Sequence, residues 1–381
     1  MHILNVNSSL DSRTGGGTAE RTFQMSRFLA HAGTQCTVLT IDTGLDDARI
    51  AALAPANVVA IPLLWRRFYV PYTKWRMVQK LVADVDIIHL MGHWSVLNAL
   101  VYVAARRIGR PYVVCPAGAL PIFGRSKLAK RIYNFLLGKA IIRNASAWIA
   151  VTTGEFLQFE RYGIPASNIT VIPNGVSQDD FPGVDIESFR RKKKLPDKLL
   201  LLFMGRLNLI KGPDLLLQAF ASIKDQIPNY DLVFAGPDEG MQAELIEFSK
   251  INDIADRVHF LGFVSGMDKV AAYRLASLLI VPSRQEAMSI VALEAGICGT
   301  PVLLTDQCGF SEIRSIHPAL ETTTDVAGIA NGITQLVKQA DLLEHIAFSF
   351  QNFVENRYTW DSVVMEYLEL YKAISGATKK V

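Results

Sequence analysis

Short apolar segments alternate with amphipathic ones along the whole chain, and that alternation leaves few folds open. Residues 3–7, 36–41, 58–61, 87–90, 112–115, 148–151 and 170–172 read as strands in the first half, with helices over 19–32, 96–107 and 127–143 among them. The second half repeats the pattern with strands at 199–204, 232–235, 258–261, 278–281 and 302–305. A strand that is apolar at every position must be covered on both faces, which is the situation of a parallel sheet between helices. Two such series predict an α/β protein of two doubly wound, Rossmann-like domains facing a crevice, with ligand at the carboxyl ends of strands.

The two series meet between Pro173-Asn174-Gly175-Val176 and Lys198, a stretch without long apolar periodicity. Domains of 1–176 and 177–360 are therefore expected. The run Arg190-Arg191-Lys192-Lys193-Lys194 in that interval reads as a solvated helix end. Half of the 381 residues are hydrophobic, enough for two cores, and 39 basic against 36 acidic side chains leave only +3. Such a balance gives no reason to expect nucleic acid as a partner. Cys36, Cys115, Cys298 and Cys308 stand singly, without metal-ligand spacing, as buried thiols in a reduced cytoplasm would. The first residues read as a strand and not as a signal peptide. No apolar run reaches the ~18–20 residues needed to span a bilayer. A soluble cytoplasmic protein is expected, one able to touch the inner face of a membrane as a peripheral protein.

Three segments carry chemistry. In Gln285 to Val302, Glu286 and Glu294 stand eight apart, an apolar helical run surrounds the second, and Gly299-Thr300-Pro301 stops it. Glu286 then sits in the loop entering a helix and Glu294 about two turns inside. The helix entrance, with its unpaired amides and dipole, suits phosphate, and a carboxylate on each side suits the hydroxyls of a nucleotide sugar. In Gly205-Arg206-Leu207-Asn208-Leu209-Ile210-Lys211-Gly212, directly after a strand, Arg206 and Lys211 can neutralise two phosphates. Gly15-Gly16-Gly17-Thr18-Ala19-Glu20 opens a helix after the first strand and lets backbone approach an anion. It is not the dinucleotide fingerprint, because Glu20 occupies the third glycine's place.

Together these segments resemble the retaining family-4 glycosyltransferases of GT-B fold, found in bacterial polysaccharide and glycolipid synthesis. Glu286 and Glu294 match the E-x7-E signature, with Ala287-Met288-Ser289 where Gly-Phe-Gly is usual. Residues 205–212 match G-R-x-x-x-x-K-G at every fixed position. Residues 15–19 are similar to the G-G-x-x-x loop, and Ile172-Pro173-Asn174-Gly175-Val176 to the interdomain I-P-N-G-V. Relatives set the nucleotide base near Gly262-Phe263-Val264, where Phe263 is either a neighbour of the base or a core residue. The first half departs further: within D-x-x-H-x-H-G-x-W-S, His89 matches, Met91 replaces the second histidine and His93 is extra. Ala117 stands where P-H-G-x-L carries histidine. The resemblance also implies a last helix, 361–375, returning to the first domain.

It further implies transfer of a hexose from a nucleoside-diphosphate sugar, a UDP-sugar foremost and UDP-glucose among them, to a saccharide or lipid-diphosphate acceptor. Arg206, Lys211, the amides of Ser289 and Ile290, and Gly16 and Gly17 would meet the diphosphate, and Met288 is expected in the donor site beside them. Glu294 would hold the ribose and Glu286 the sugar, and His93 reads either as an acid–base group reaching the same crevice or as a core or surface histidine. No metal or other cofactor is expected. A glycosidase reading fails, since eight helical residues rise ~12 Å against the ~5–9.5 Å of hydrolytic carboxylate pairs. A nucleotide-sugar-binding scaffold with weakened catalysis stays open because of Met91 and Ala117. The aromatic-basic segment 65–76, with Arg66, Arg67 and Trp75, and the cluster Arg125, Lys127, Lys130 and Arg131 read either as ordinary surface or as faces toward an anionic membrane.

Overall fold

A computed structural model describes residues 1–11, 14–122 and 126–378; Arg125 of the basic cluster lies outside the described residues. The chain divides into two compact units, residues 1–175 with the segment from Trp360 onward, and Val176–Thr359.

The first unit holds a parallel sheet of β1 (His2–Val6), β2 (Gln35–Ile41), β3 (Asn57–Ile61), β6 (Ile87–Met91), β7 (Tyr112–Cys115), β8 (Ala147–Ala150) and β9 (Ile169–Val171). A two-stranded antiparallel hairpin, β4 (Leu63–Trp65) and β5 (Val70–Pro71), stands apart from it. The strand order β3-β2-β1-β6-β7-β8-β9 reverses direction between β1 and β6. All five residues of β6 are buried, as a strand covered on both faces requires. The last helix, Trp360–Thr378, packs on this unit: Trp360 stacks on Phe28, and Tyr371 hydroxyl meets His89 Nδ1 at 2.6 Å.

The second unit is another parallel sheet, of β10 (Leu199–Met204), β11 (Tyr230–Ala235), β12 (Val258–Gly262), β13 (Leu278–Val281), β14 (Val302–Thr305) and β15 (Glu321–Thr322). Its order, β12-β11-β10-β13-β14-β15, reverses between β10 and β13. The basic run closes the Ile186–Lys192 helix, where cations complement the dipole, and Lys192 and Lys193 pair with Asp268.

One element differs from expectation. The helix expected over 127–143 is three pieces: Lys127–Tyr133, a π turn at Asn134–Gly138, and Lys139–Arg143. The cause is a buried polar residue: Asn134 turns its amide inward to His93 Nε2 at 2.9 Å and Tyr162 hydroxyl at 2.8 Å, and the helix bulges around it. Trp75, in the segment that reads either as ordinary surface or as a membrane face, is half-buried against the core with Arg107 over its ring at 5.2 Å, as the ordinary surface expects. Strands β4, β5 and β15 are too short to leave a period in the sequence.

Candidate active site

At the switch point of the second sheet, β10 and β13 lie side by side, and each releases a loop from its carboxyl end. The β10 loop, residues 205–212, leads into the Pro213–Ile223 helix; the β13 loop, residues 282–289, leads into the Ile290–Ile297 helix. Arg284 staples them. Its backbone N–H donates to Ile210 carbonyl at 2.7 Å, its guanidinium to Leu209 carbonyl at 2.7 Å, and both its Nη atoms to Asp214 carboxylate at 2.8 and 2.6 Å. Gly212 permits the approach: it sits at φ +71°, and a Cβ there would lie 2.1 Å from Pro282 carbonyl oxygen. Gly309 does the same on the other flank, where a Cβ would lie 1.8 Å from Ala287 carbonyl oxygen.

Lys211 and Glu286, from the two loops, form an ion pair. Glu286 Oε2, Ser283 Oγ and Ser289 Oγ are buried without a hydrogen-bond partner among the described residues. Buried oxygens left unmatched are costly, so three of them around one loop make it a candidate place for a polar ligand. Arg206 pairs with Glu239 at 3.0 Å, and Asn208 donates to the same carboxylate at 2.6 Å. Both members of the Arg206–Glu239 pair are over a third exposed, and such a pair holds its partners weakly.

Glu294 is the fifth residue of its helix, just over one turn inside and not two, because the helix starts at Ile290. Its carboxylate accepts from Lys269 Nζ at 2.8 Å and Tyr273 hydroxyl at 2.7 Å. Burial, with the Glu294 charge beside it, pushes the Tyr273 hydroxyl well above its usual value, so it stays a donor. Each carboxylate oxygen has a second lone pair for a ligand hydroxyl. Met288 is buried, and half-buried Ile290 offers the first helical N–H. Phe263 is 39% exposed after β12, so it is not a core residue.

Gly16, Gly17 and His93 belong to the first unit. Gly16 opens the Gly16–His31 helix at φ +64°, and Gly17 is exposed. Glu20 pairs with Arg49 at 2.9 Å. His93 requires correction as an acid–base candidate. It is 2% exposed, enclosed by the rings of Trp94, Tyr133 and Tyr162, and held by Asn134; burial lowers its pKa to about 4. It is a neutral packing residue. His89, fully buried, is lowered to about 3 for the same reason, with Arg21 adding to it.

Sequence reasoning missed several members. Lys269 and Tyr273, four apart on the Gly266–Leu275 helix, left only a helical spacing that any surface pair shares. Arg284, Asp214 and Glu239 left no motif. Neither did Glu155, whose buried carboxylate accepts the N–H groups of Gly118 and Val151 and so fixes the turn at Ala117, itself at φ +49°.

Two doubly wound units, one with basic and acidic side chains gathered at its switch point, are the architecture of the GT-B glycosyltransferases. Residues 16–175 match the family model "Glycosyl transferase 4-like domain", and residues 185–348 match "Glycosyl transferases group 1". A D-inositol 3-phosphate glycosyltransferase of Salinispora tropica is 32% identical over 93% of this chain and 80% of its own. Anabaena HepE, solved with UDP-glucose, superposes with a TM-score of 0.79 at 20% identity, covering 98% of this chain and 100% of that one. Sucrose-phosphate synthase of Thermosynechococcus elongatus gives 0.75 at 20% identity, covering 99% and 100%. The chain belongs to the family-4 glycosyltransferases of GT-B fold and is a glycosyltransferase.

Proposed function

We propose that this glycosyltransferase moves glucose from UDP-glucose, with retention of configuration and without a metal, to a saccharide or lipid-diphosphate acceptor in bacterial polysaccharide synthesis. The observation that carries the reading is the meeting of Lys211 and Glu286 beside three unmatched buried oxygens at the β10/β13 switch point. Arg206 and Lys211 receive the diphosphate, leaving their carboxylate partners for it, and the amides of Ser289 and Ile290 add fixed dipoles. Glu294 takes the ribose hydroxyls. Glu286, released by Lys211, accepts from sugar hydroxyls and steadies positive charge at the anomeric carbon.

The bond from that carbon to the diphosphate oxygen breaks while the acceptor oxygen forms its bond on the same face. The acceptor proton passes to the departing phosphate oxygen, so no side-chain base is required. This agrees with His93 being buried and neutral. The glucose and UDP assignments draw on HepE, whose crystals hold UDP-glucose.

A panel of UDP-, GDP- and ADP-sugars tests the donor. UDP-glucose should raise the melting temperature most, because it binds the native state. Labelled UDP-glucose with an acceptor extract should yield an α-linked product. A larger shift with GDP- or ADP-sugars would replace the donor, and a β-linked product would remove retention.

A further inference from the structure

The helix that bulges around Asn134 presents an apolar face to solvent. Phe135 is 86% exposed, Leu128 69%, Leu136 64% and Ile132 51%. Leu128, Ile132, Phe135 and Leu136 follow the i, i+4, i+7, i+8 spacing of one helix face and form one stripe. Lys127 and Arg131 form a parallel basic stripe one residue away, with Lys139 beyond; all three are exposed, and none is in an ion pair among the described residues. Lys130 is turned elsewhere, over the ring of Trp94 at 5.5 Å.

The surrounding sequence has an unusual charge pattern. From residue 48 to 154 there are fifteen Lys and Arg and only two acidic residues, Asp84 and Asp86, although the whole chain is nearly balanced at 39 to 36. A contiguous exposed stripe of Phe, Leu and Ile is costly in water and unsuited to nucleic acid, which asks for polar or stacking contacts. Apolar side chains flanked by lysine and arginine fit the boundary between acyl chains and anionic headgroups.

We infer that residues 127–139 form an interfacial surface that docks on an anionic lipid bilayer, with Phe135 inserted among the acyl chains. The inference deepens the lipid-diphosphate acceptor reading above and rests on it only for its purpose: an enzyme docked on the bilayer meets its lipid-linked acceptor where that lipid resides. No helix among the described residues is long and apolar enough to cross a membrane, so the contact is peripheral.

Co-sedimentation with vesicles tests this, using phosphatidylcholine alone and phosphatidylcholine with one third phosphatidylglycerol. The full chain should bind the anionic vesicles at least tenfold more tightly, and high salt should weaken that binding. Phe135→Ser should reduce it at least tenfold, and Lys127→Gln and Arg131→Gln about fivefold each. Equal binding to both vesicles, or an unchanged Phe135→Ser variant, would overturn the proposal. So would a dimer, seen by light scattering, that Phe135→Ser splits without any effect on vesicles. Calorimetric UDP binding is the separate readout. It should be unaltered in all three variants, and its absence from the wild type would sink the donor reading while leaving the lipid surface standing.

Discussion

Tyr273 donates its hydroxyl to Glu294 at 2.7 Å, and Lys269 holds the other oxygen of the same carboxylate at 2.8 Å. The carboxylate is therefore fixed before ligand arrives, and its remaining lone pairs point where neither donor stands. A preset acceptor loses little freedom on binding. Glu294→Gln should weaken UDP and UDP-glucose alike, by roughly tenfold or more, since hydrogen bonds to a charged group contribute about 1.5–3 kcal/mol. Tyr273→Phe should weaken both by less. Glu286→Gln should instead lower turnover while leaving UDP affinity near wild type. Calorimetry and steady-state kinetics separate these outcomes, and equal UDP affinity in wild type and Glu294→Gln would contradict the ribose assignment.

Arg206 and Lys211 enter with carboxylate partners, Glu239 and Glu286, which they must partly release. Arg206→Ala and Lys211→Ala should each remove about 1.5–3 kcal/mol of donor or transition-state binding, read as kcat/KM. Glu239→Gln, which frees Arg206 without removing it, should leave donor affinity unchanged or slightly tighter. Strong loss in Glu239→Gln would mean that the carboxylate itself meets the ligand.

Arg284 and Asp214 hold the loops that carry Lys211 and Glu286. Arg284→Ala and Asp214→Ala should each lower kcat/KM by about tenfold, with a double variant scarcely worse than either single one, because the two act as one unit. Additive losses would show that they contribute separately.

The fold was legible because β10 and β6 are apolar at nearly every position, a pattern that a solvent-facing strand cannot carry. The donor loops were legible because glycine and charge recur at fixed spacing after a strand, as at Gly205, Arg206, Lys211 and Gly212. What was illegible depends on contacts between segments distant in sequence. Lys269 meets Glu294 across 25 residues, and Arg284 meets Asp214 across 70. His93 shows the opposite failure: its place beside a motif suggested chemistry, yet three aromatic rings and Asn134 enclose it. Burial of a single histidine leaves no trace in local sequence.

That burial predicts a pH dependence of stability. His93 falls from its usual 6.5 to about 4 in the folded chain, and His89 to about 3, so the unfolded chain binds these protons more readily. The stabilisation is complete above pH 6.5 and is lost as pH falls from there toward 4. Each histidine should remove about 2 kcal/mol between pH 7 and 5. Urea unfolding of the full chain at the two pH values should show the loss, and His93→Gln should abolish its share. A midpoint insensitive to pH over that range would show that the two imidazoles remain hydrated.

The remaining prediction concerns metal. The chain contains one Asp-x-Asp triplet, Asp84-Val85-Asp86, of the kind that can hold a divalent ion on a diphosphate. It lies at the amino end of β6, opposite the strand ends from which a doubly wound sheet presents ligands, and Asp86 accepts the His2 backbone N–H at 2.8 Å. At the β10/β13 switch point the positive charge comes from Arg206 and Lys211, which can balance the departing diphosphate themselves. Turnover of UDP-glucose should therefore survive EDTA, and Asp84→Asn should leave it unaltered. Activity lost on chelation and restored by magnesium or manganese would require an ion at the diphosphate and end the metal-free mechanism.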